Sequence, residues 1–373
     1  MKIGILGGGQ LARMLIEAGS QFGFDFLIYS TEKNSPAGRI CEKEYFGKWD
    51  DFDELDKFTE KSDVITLENE FIDYKVIEHI ESKGRKVKPG SAVVKTIQDK
   101  LIQKNFLKKA GAPVAVFSEI NYIEDIREFC SRYGFPVILK SRTMGYDGKG
   151  NYLIASEKDI ETAYKELSER GKLMAEQFID FDFEIAIQAV RNAEGEIRFY
   201  PIVETVQKNH ICNLVRAPHY VPLELSNYLH QVTAKILNEL EYTGVMGIEF
   251  FVKEDELMIN ELAPRVHNTG HYTIEACEVS QFENHIRAIA GYPLGSTKMK
   301  SKNAVMINIL GMRNDDAGSV DLSRVLEMEN TYPHIYGKEK IRTGRKMGHI
   351  TVLSDSIEKA EIAANEARKL IDI

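Results

Sequence analysis

The chain has 373 residues, more than one hydrophobic core usually serves, and at about 150 residues per domain it implies two or three domains. With 43% hydrophobic and 28% charged residues its composition is globular, which excludes wholesale disorder and collagen-like structure. Lys and Arg number 48 against 57 Asp and Glu, a net charge of −9 and the wrong sign for coating a nucleic acid or an anionic membrane, so any phosphate must be gripped by a local site.

Lys2 to Leu6 reads as a strand ending in Gly7-Gly8-Gly9, after which Leu11, Met14, Leu15 and Ala18 recur at helical spacing. Residues 26–29 and 64–67 are further apolar runs and Val87-Lys88-Pro89 begins a fourth, so a parallel sheet is expected to close near Pro89-Gly90. One helix is expected from Ala92 to Ala110, then a helix over 123–133, a strand over 136–140 and a polar, glycine-rich loop through Gly150. After a strand at 151–155 and a charged helix near 157–170 come β segments at 173–178, 183–190 and 197–203. Leu223 to Leu240 reads as helix, and the strands 245–252 and 257–262 flank Lys253-Glu254-Asp255-Glu256 as a hairpin. Tyr272 to Ala290 is expected as one helix, Gly295 to Ser301 as a linker. Strands at 305–310 and 350–353, a helix near 321–328 and a terminal helix from Ser356 make a small last unit. The fold class is α/β followed by α+β.

The opening apolar run is too short for a secretory signal, and the longest one, Ala304 to Met312, is about half the length of a membrane-spanning helix. Cys41, Cys130, Cys212 and Cys277 lie far apart, without the spacing of a disulfide framework or a zinc site. A reduced, cytoplasmic protein without nucleic-acid or membrane partners is expected.

Four constellations carry chemistry. Gly7-Gly8-Gly9-Gln10-Leu11-Ala12 can hold an anion at a helix N-terminus, bind a dinucleotide, or simply turn the chain. Lys140 ends an apolar strand directly before Ser141 to Gly150, where three glycines in six residues let the backbone approach phosphate oxygens and the lysine adds a point charge. Glu249 interrupts one strand of the expected hairpin and Glu261 the other. Two enclosed carboxylates side by side are costly unless a divalent cation lies between them, and hard oxygen ligands beside a phosphate loop suit Mg²⁺; solvent-facing acids are the plainer alternative. Arg265, His267 and Asn268 crowd the loop that follows, and Lys338, Arg342, Arg345 and Lys346 form either a second anion pocket or a solvated basic face.

Taken together, these motifs resemble the ATP-grasp superfamily and, within it, the 5-(carboxyamino)imidazole ribonucleotide synthase family. The resemblance runs from Gly7 to about Leu353. It rests on Gly7 to Leu11, Gly145-Tyr146-Asp147-Gly148-Lys149-Gly150, Asn260 to Asn268, Ser280-Gln281-Phe282-Glu283 and Arg345 to His349. It implies an ATP-grasp fold with a Rossmann-like domain over 1–95, an ATP-grasp domain with its lid over 96–295 and a carboxy-terminal domain over 296–373. The implied reaction phosphorylates bicarbonate with ATP and carboxylates 5-aminoimidazole ribonucleotide, in a homodimer that uses Mg²⁺.

By position, the resemblance implies that Lys100, Lys140 and residues Gly145 to Gly150 bind the ATP phosphates. Glu176, Gln177, Phe178 and Ile179 would line adenine, and Glu184, Gln207, Asn260 and Glu261 would complete the ATP site. Glu249 and Glu261 would hold the metal. Gln10, Leu11, Tyr146, Lys149, His267, Asn268, Lys338 and Arg345 would bind the aminoimidazole nucleotide, with Asp147, Arg265 and Lys346 acting in carboxyl transfer. The chain departs from the family pattern at Gln207, where a histidine is usual, at Thr269, where serine is, and over residues 66–71, which read Thr-Leu-Glu-Asn-Glu-Phe; Ala263 stands where many other ATP-grasp enzymes carry Asn. The rival readings are another ATP-grasp ligase, a nicotinamide oxidoreductase and a nucleotide-binding regulator.

Overall fold

The computed structural model describes residues 1–145 and 150–373. Five parallel strands open the fold in the order Lys43–Phe46, Asp25–Ser30, Lys2–Leu6, Val64–Leu67, Lys86–Val87. Lys43–Phe46, an edge strand, has no apolar run and was not expected. The central strands read as continuous apolar runs because helices cover both faces of a parallel sheet. Leu11, Leu15 and Ile16 of the helix Gln10–Gly19 share a core with Phe282, Ile286 and Ile289 of the helix Gln281–Ala290, with Val190 and Val245 of the largest sheet, and with Val266 in the loop after its strand Glu256–Ala263.

A four-stranded antiparallel sheet follows, ordered Phe117–Ile120, Leu173–Gln177, Val137–Ser141, Asn151–Ile154, with the helices Ile123–Tyr133 and Ile160–Ser168 packed on it. The largest sheet has nine strands. Eight form a path: Glu256–Ala263, Gly244–Lys253, Phe183–Arg191, Val203–Lys208, Ile211–Ala217, Asn303–Leu310, Lys346–Ser354, Thr331–Ile335; Ile197–Phe199 pairs at the side. The sheet therefore continues across the expected boundary at 295/296, through the pairing of Ile211–Ala217 with Asn303–Leu310.

Several expected elements are broken, each for a local reason. The helix expected over 92–110 is two, Ser91–Gln98 and Lys100–Lys109. Between them Asp99 is extended, and its carboxylate caps the second by accepting from Leu101 N at 2.9 Å and Ile102 N at 3.3 Å. The helix expected over 272–290 is Thr273–Ala276 and Gln281–Ala290, because residues 277–279 leave helical geometry to pair with the supposed linker: Glu278 N donates to Lys298 O at 2.9 Å and Val279 N to Ser296 O at 3.1 Å. The β run expected over 197–203 splits at Pro201. Its second part forms a hairpin with the unforeseen strand Ile211–Ala217 through Asn209 and His210, both left-handed at φ 53° and 62°.

Candidate active site

One face of the helix Lys100–Lys109 aims two lysines at two different carboxylates one turn apart. Lys100 Nζ lies 3.1 Å from Glu261 Oε1, and Lys104 Nζ lies 2.5 Å from Glu176 Oε1 while also donating to Ile259 O at 2.9 Å. The second oxygen of Glu176 accepts from Lys140, the last residue but one of the neighbouring strand. Burial alone would raise the Glu176 carboxyl, but Lys140 and Lys104 outweigh it and hold the group at about 2. Both carboxylate oxygens of Glu176 thus lie on lysines. Gln177 ends that strand, and Phe178 and Ile179 follow it. Lys104 was missed in the sequence; its signal was the four-residue spacing from Lys100.

The hairpin Gly244–Lys253/Glu256–Ala263 turns through Glu254 and Asp255, both with positive φ as a two-residue turn of this kind requires. Glu249 stands directly opposite Glu261, and the ladder shifts beside them so that Asn260 is the extra, bulged residue. Glu249 is 24% exposed; its enclosed position, then Glu261 and Glu184, push its carboxyl up to about 8. Glu184, on the adjacent strand, is raised by burial and is hydrogen-bonded by Gln207. The Gln207 departure thus places an amide on Glu184. Oxygen donors that repel one another while flanked by phosphate-seeking lysines fit Mg²⁺, which commonly takes one or two carboxylates and fills its shell from phosphates and water.

The other wall comes from the loop after the hairpin. Arg265 makes two bonds to Glu70, one of them Nη2 to Oε1 at 2.8 Å, tying the loop to the first sheet. Beside it, Glu68 accepts from Gly9 N at 2.9 Å and Ala12 N at 3.4 Å, so a carboxylate of the chain itself occupies the helix N-terminus where an anion was expected. Gly7 permits this at φ +98°, where an added Cβ would sit 2.4 Å from Glu68 Cγ. Gln10 is half-buried at the rim, but the Leu11 side chain is buried in the core, leaving only its backbone for a ligand.

Asn268 exchanges amide bonds with Asn308, at 2.9 and 2.7 Å. Burial, then Arg265 and Lys346, push His267 well below the usual imidazole range, so it is neutral. Lys346 acts on both Glu249 and His267, which brings the carboxy-terminal segment to the same cleft. Lys338 donates to Lys346 O at 2.7 Å and Arg345 to Lys340 O at 2.9 Å; Lys338, Arg345 and Lys346 are half-buried, whereas Lys340 and Arg342 are exposed. The basic cluster is thus not a uniformly solvated face. Asp147, Tyr146, Gly148 and Lys149 lie outside the described residues. Glu68, Glu70 and Asn308 join the site without having been singled out. Asn308 did carry a signal, as a lone amide in an apolar strand.

Three sheets converging on paired carboxylates and buried lysines define the class: the protein is an ATP-grasp ligase. Residues 105–282 match the family model of the ATP-grasp domain, 1–98 that of the ribonucleotide synthetase preATP-grasp domain, and 304–363 that of the phosphoribosylaminoimidazole carboxylase C-terminal domain. The N5-carboxyaminoimidazole ribonucleotide synthase of Synechococcus elongatus is 36% identical over 365 residues, 97% of this chain and 92% of that one. Phosphoribosylaminoimidazole carboxylase of Schizosaccharomyces pombe is 37% identical over 367 residues, 96% of this chain but 66% of that longer one. Among solved structures, the N5-carboxyaminoimidazole synthase of Aspergillus clavatus, in complex with ADP and 5-aminoimidazole ribonucleotide, superposes with a TM-score of 0.88 at 33% identity, covering 99% of this chain and 98% of that one. The chain belongs to the N5-carboxyaminoimidazole ribonucleotide synthase family.

Proposed function

We propose that the protein carboxylates 5-aminoimidazole ribonucleotide in purine biosynthesis. A bicarbonate oxygen attacks the γ-phosphorus of ATP and ADP leaves, giving carboxyphosphate. The exocyclic amine then attacks the carboxyl carbon, phosphate leaves, and the nitrogen loses a proton to give 5-(carboxyamino)imidazole ribonucleotide. The observation that carries this reading is the single cleft in which Lys100, Lys140, Glu249 and Glu261 face Arg265, His267 and Lys346.

Lys140 and Lys100, with Gly145 and Gly150 at the ends of segment 146–149, hold phosphate oxygens. Glu176, Gln177, Phe178 and Ile179 line adenine, and Glu184, partnered by Gln207, accepts from the ribose while Asn260 borders it. Glu249 and Glu261 would hold Mg²⁺, which supplies charge stabilisation for the transferring phosphoryl group. Gln10, the Leu11 backbone, Tyr146, Lys149, His267, Asn268, Lys338 and Arg345 bind the aminoimidazole nucleotide. Asp147, Arg265 and Lys346 serve carboxyl transfer, the two cations by stabilising charge on the departing phosphate. The working units are 1–95, 96–295 and 296–373. The protein is taken as a cytoplasmic homodimer; its four free cysteines suit a reducing compartment, and among the described residues no helix is long and apolar enough to cross a membrane.

The test is ADP release with and without bicarbonate and 5-aminoimidazole ribonucleotide, with ¹³C-bicarbonate traced into product. Release that needs bicarbonate, rises with the amine and delivers labelled product supports the reading. Release indifferent to both overturns it.

A further inference from the structure

The segment Ser280-Gln281-Phe282-Glu283 is only partly explained by the helix it opens. Ser280 Oγ caps the helix by accepting from Glu283 N at 3.1 Å, Phe282 joins the core, and Glu283 pairs with Arg287 at 2.5 Å. Gln281 has no part in that. It is fully buried, and its amide closes on the backbone of His267 from both sides: Nε2 donates to His267 O at 2.6 Å, and Oε1 accepts from His267 N at 2.9 Å. Gly270 leaves room for this, since a Cβ there would stand 2.5 Å from Gln281 Oε1.

The ring of His267 is fixed separately. Gln188, fully buried on the strand Phe183–Arg191, donates from Nε2 to Thr269 Oγ1 at 2.7 Å, and Thr269 Oγ1 lies 2.8 Å from His267 Nδ1. A hydroxyl has one proton. Its oxygen accepts from Gln188, and among the described residues His267 Nδ1 is the one acceptor within hydrogen-bond distance of its proton, so the hydroxyl donates there and the ring's own hydrogen sits on Nε2. Turning the Gln188 amide over would reverse the chain, but the outer position, where Oε1 now has no hydrogen-bond partner, would then bury an unpaired N–H₂, the costlier arrangement.

We propose that Gln281, Thr269 and Gln188 are positioning residues that lock His267 as the Nε2–H tautomer, so that it meets the aminoimidazole nucleotide as a hydrogen-bond donor and not as a proton acceptor. This rests on the reading of the cleft given above. The familiar serine at position 269 would serve the same purpose, since the hydroxyl alone is required.

The experiment uses full-length protein with ring-¹⁵N histidine, His267 being assigned by its loss in His267→Gln. Nitrogen shifts should show Nε2 protonated in the wild type. Thr269→Val keeps the shape but removes the hydroxyl; it should erase the tautomer preference and raise KM for 5-aminoimidazole ribonucleotide about fivefold or more, as one neutral hydrogen bond would, with KM for ATP unchanged. Thr269→Ser should restore both. Gln188→Met, which alters the core differently, should reproduce the KM effect, so a folding fault in one variant leaves the test standing. A wild-type proton on Nδ1, or a wild-type KM in both Thr269→Val and Gln188→Met, overturns the proposal. If Nε2 is protonated but the wild-type protein does not turn over the aminonucleotide, the lock stands and the reading of the cleft falls.

Discussion

The two walls of the cleft are built on opposite principles. The ATP side is made of formal charges: Lys100 on Glu261, Lys104 and Lys140 on Glu176, and Glu249 left beside two other acids. The acceptor side is made largely of neutral amides, hydroxyl and imidazole, buried or half-buried and holding one another, as in Gln281 on His267, Gln188 on Thr269 and Asn268 on Asn308, with the Arg265–Glu70 pair as an ionic tie. Charges left unbalanced in the folded chain are available to a highly charged ligand, whereas a satisfied amide network fixes geometry without drawing in stray ions. The contrast predicts that damage to the first wall removes phosphoryl chemistry, and damage to the second uncouples it from the acceptor.

The largest effect is expected from Glu261→Gln. It removes one of the two opposed carboxylates and the partner of Lys100, so ADP formation should fall by about a thousandfold or more while the folded structure, followed by circular dichroism, persists. Substantial turnover at saturating Mg²⁺ would mean the hairpin acids are not the metal site. Next comes Lys346→Met. If Lys346 serves only the acceptor half, carboxylated product should drop by more than about tenfold, roughly 1.4 kcal/mol of barrier, while bicarbonate-dependent ADP release continues. Parallel loss of both would erase the distinction between the walls.

A smaller effect tests the charge lattice one residue further from the ligand. In Lys104→Met, Glu176 keeps Lys140 but loses its second cation, and Ile259 O loses a donor. Lys140 should then be drawn onto Glu176 and away from phosphate, raising KM for ATP by about tenfold and leaving KM for the aminonucleotide unchanged. Equal changes in both would show that Lys104 supports the fold as a whole.

How much of each wall could be read from the sequence follows from the same contrast. Glu249 and Glu261 were legible because a hairpin is local: alternation and a two-residue turn bring them together within a dozen residues. Lys140 was legible because the strand and glycine loop that place it are contiguous. On the acceptor wall Arg265, His267 and Asn268 stood out as a dense loop, but their contacts did not, because those close over long separations: Arg265 to Glu70 spans 195 residues, and Gln188 to Thr269 spans 81. Such pairs leave only isolated polar residues in apolar surroundings as their trace. The helix break at Asp99 was hidden for a related reason. Apolar periodicity continues through it, and the tertiary bond from Arg142 Nη2 to Asp99 Oδ2 at 2.6 Å, together with the cap, holds the chain there. The continuation of the large sheet into residue 303 and beyond was equally invisible, since strand runs do not announce their partners.

The last prediction, one of stability and not of turnover, concerns the seam between the first sheet and the hairpin, where His285 joins them. Its Nε2 lies 2.8 Å from Thr66 Oγ1, and its Nδ1 accepts from Val245 N at 3.1 Å. A backbone N–H pointing at Nδ1 requires a lone pair there, so the ring is neutral with its hydrogen on Nε2, and burial lowers its pKa to about 4. In the unfolded chain the same imidazole titrates near 6.5. The stability due to this neutral ring is therefore complete above about pH 6.5 and is lost as the pH falls from there toward 4, because the unfolded chain takes up the proton first. The whole window is worth on the order of 3 kcal/mol, of which roughly 2 is spent by pH 5. His271 and His349, also buried and lowered, add to the same slope. Urea unfolding at pH 7 and pH 5 should show the wild type losing stability and His285→Gln, which cannot be protonated, losing less. An identical loss in the two proteins would place the acid sensitivity elsewhere, and would leave the seam as indifferent to protons as the amide-built wall it supports.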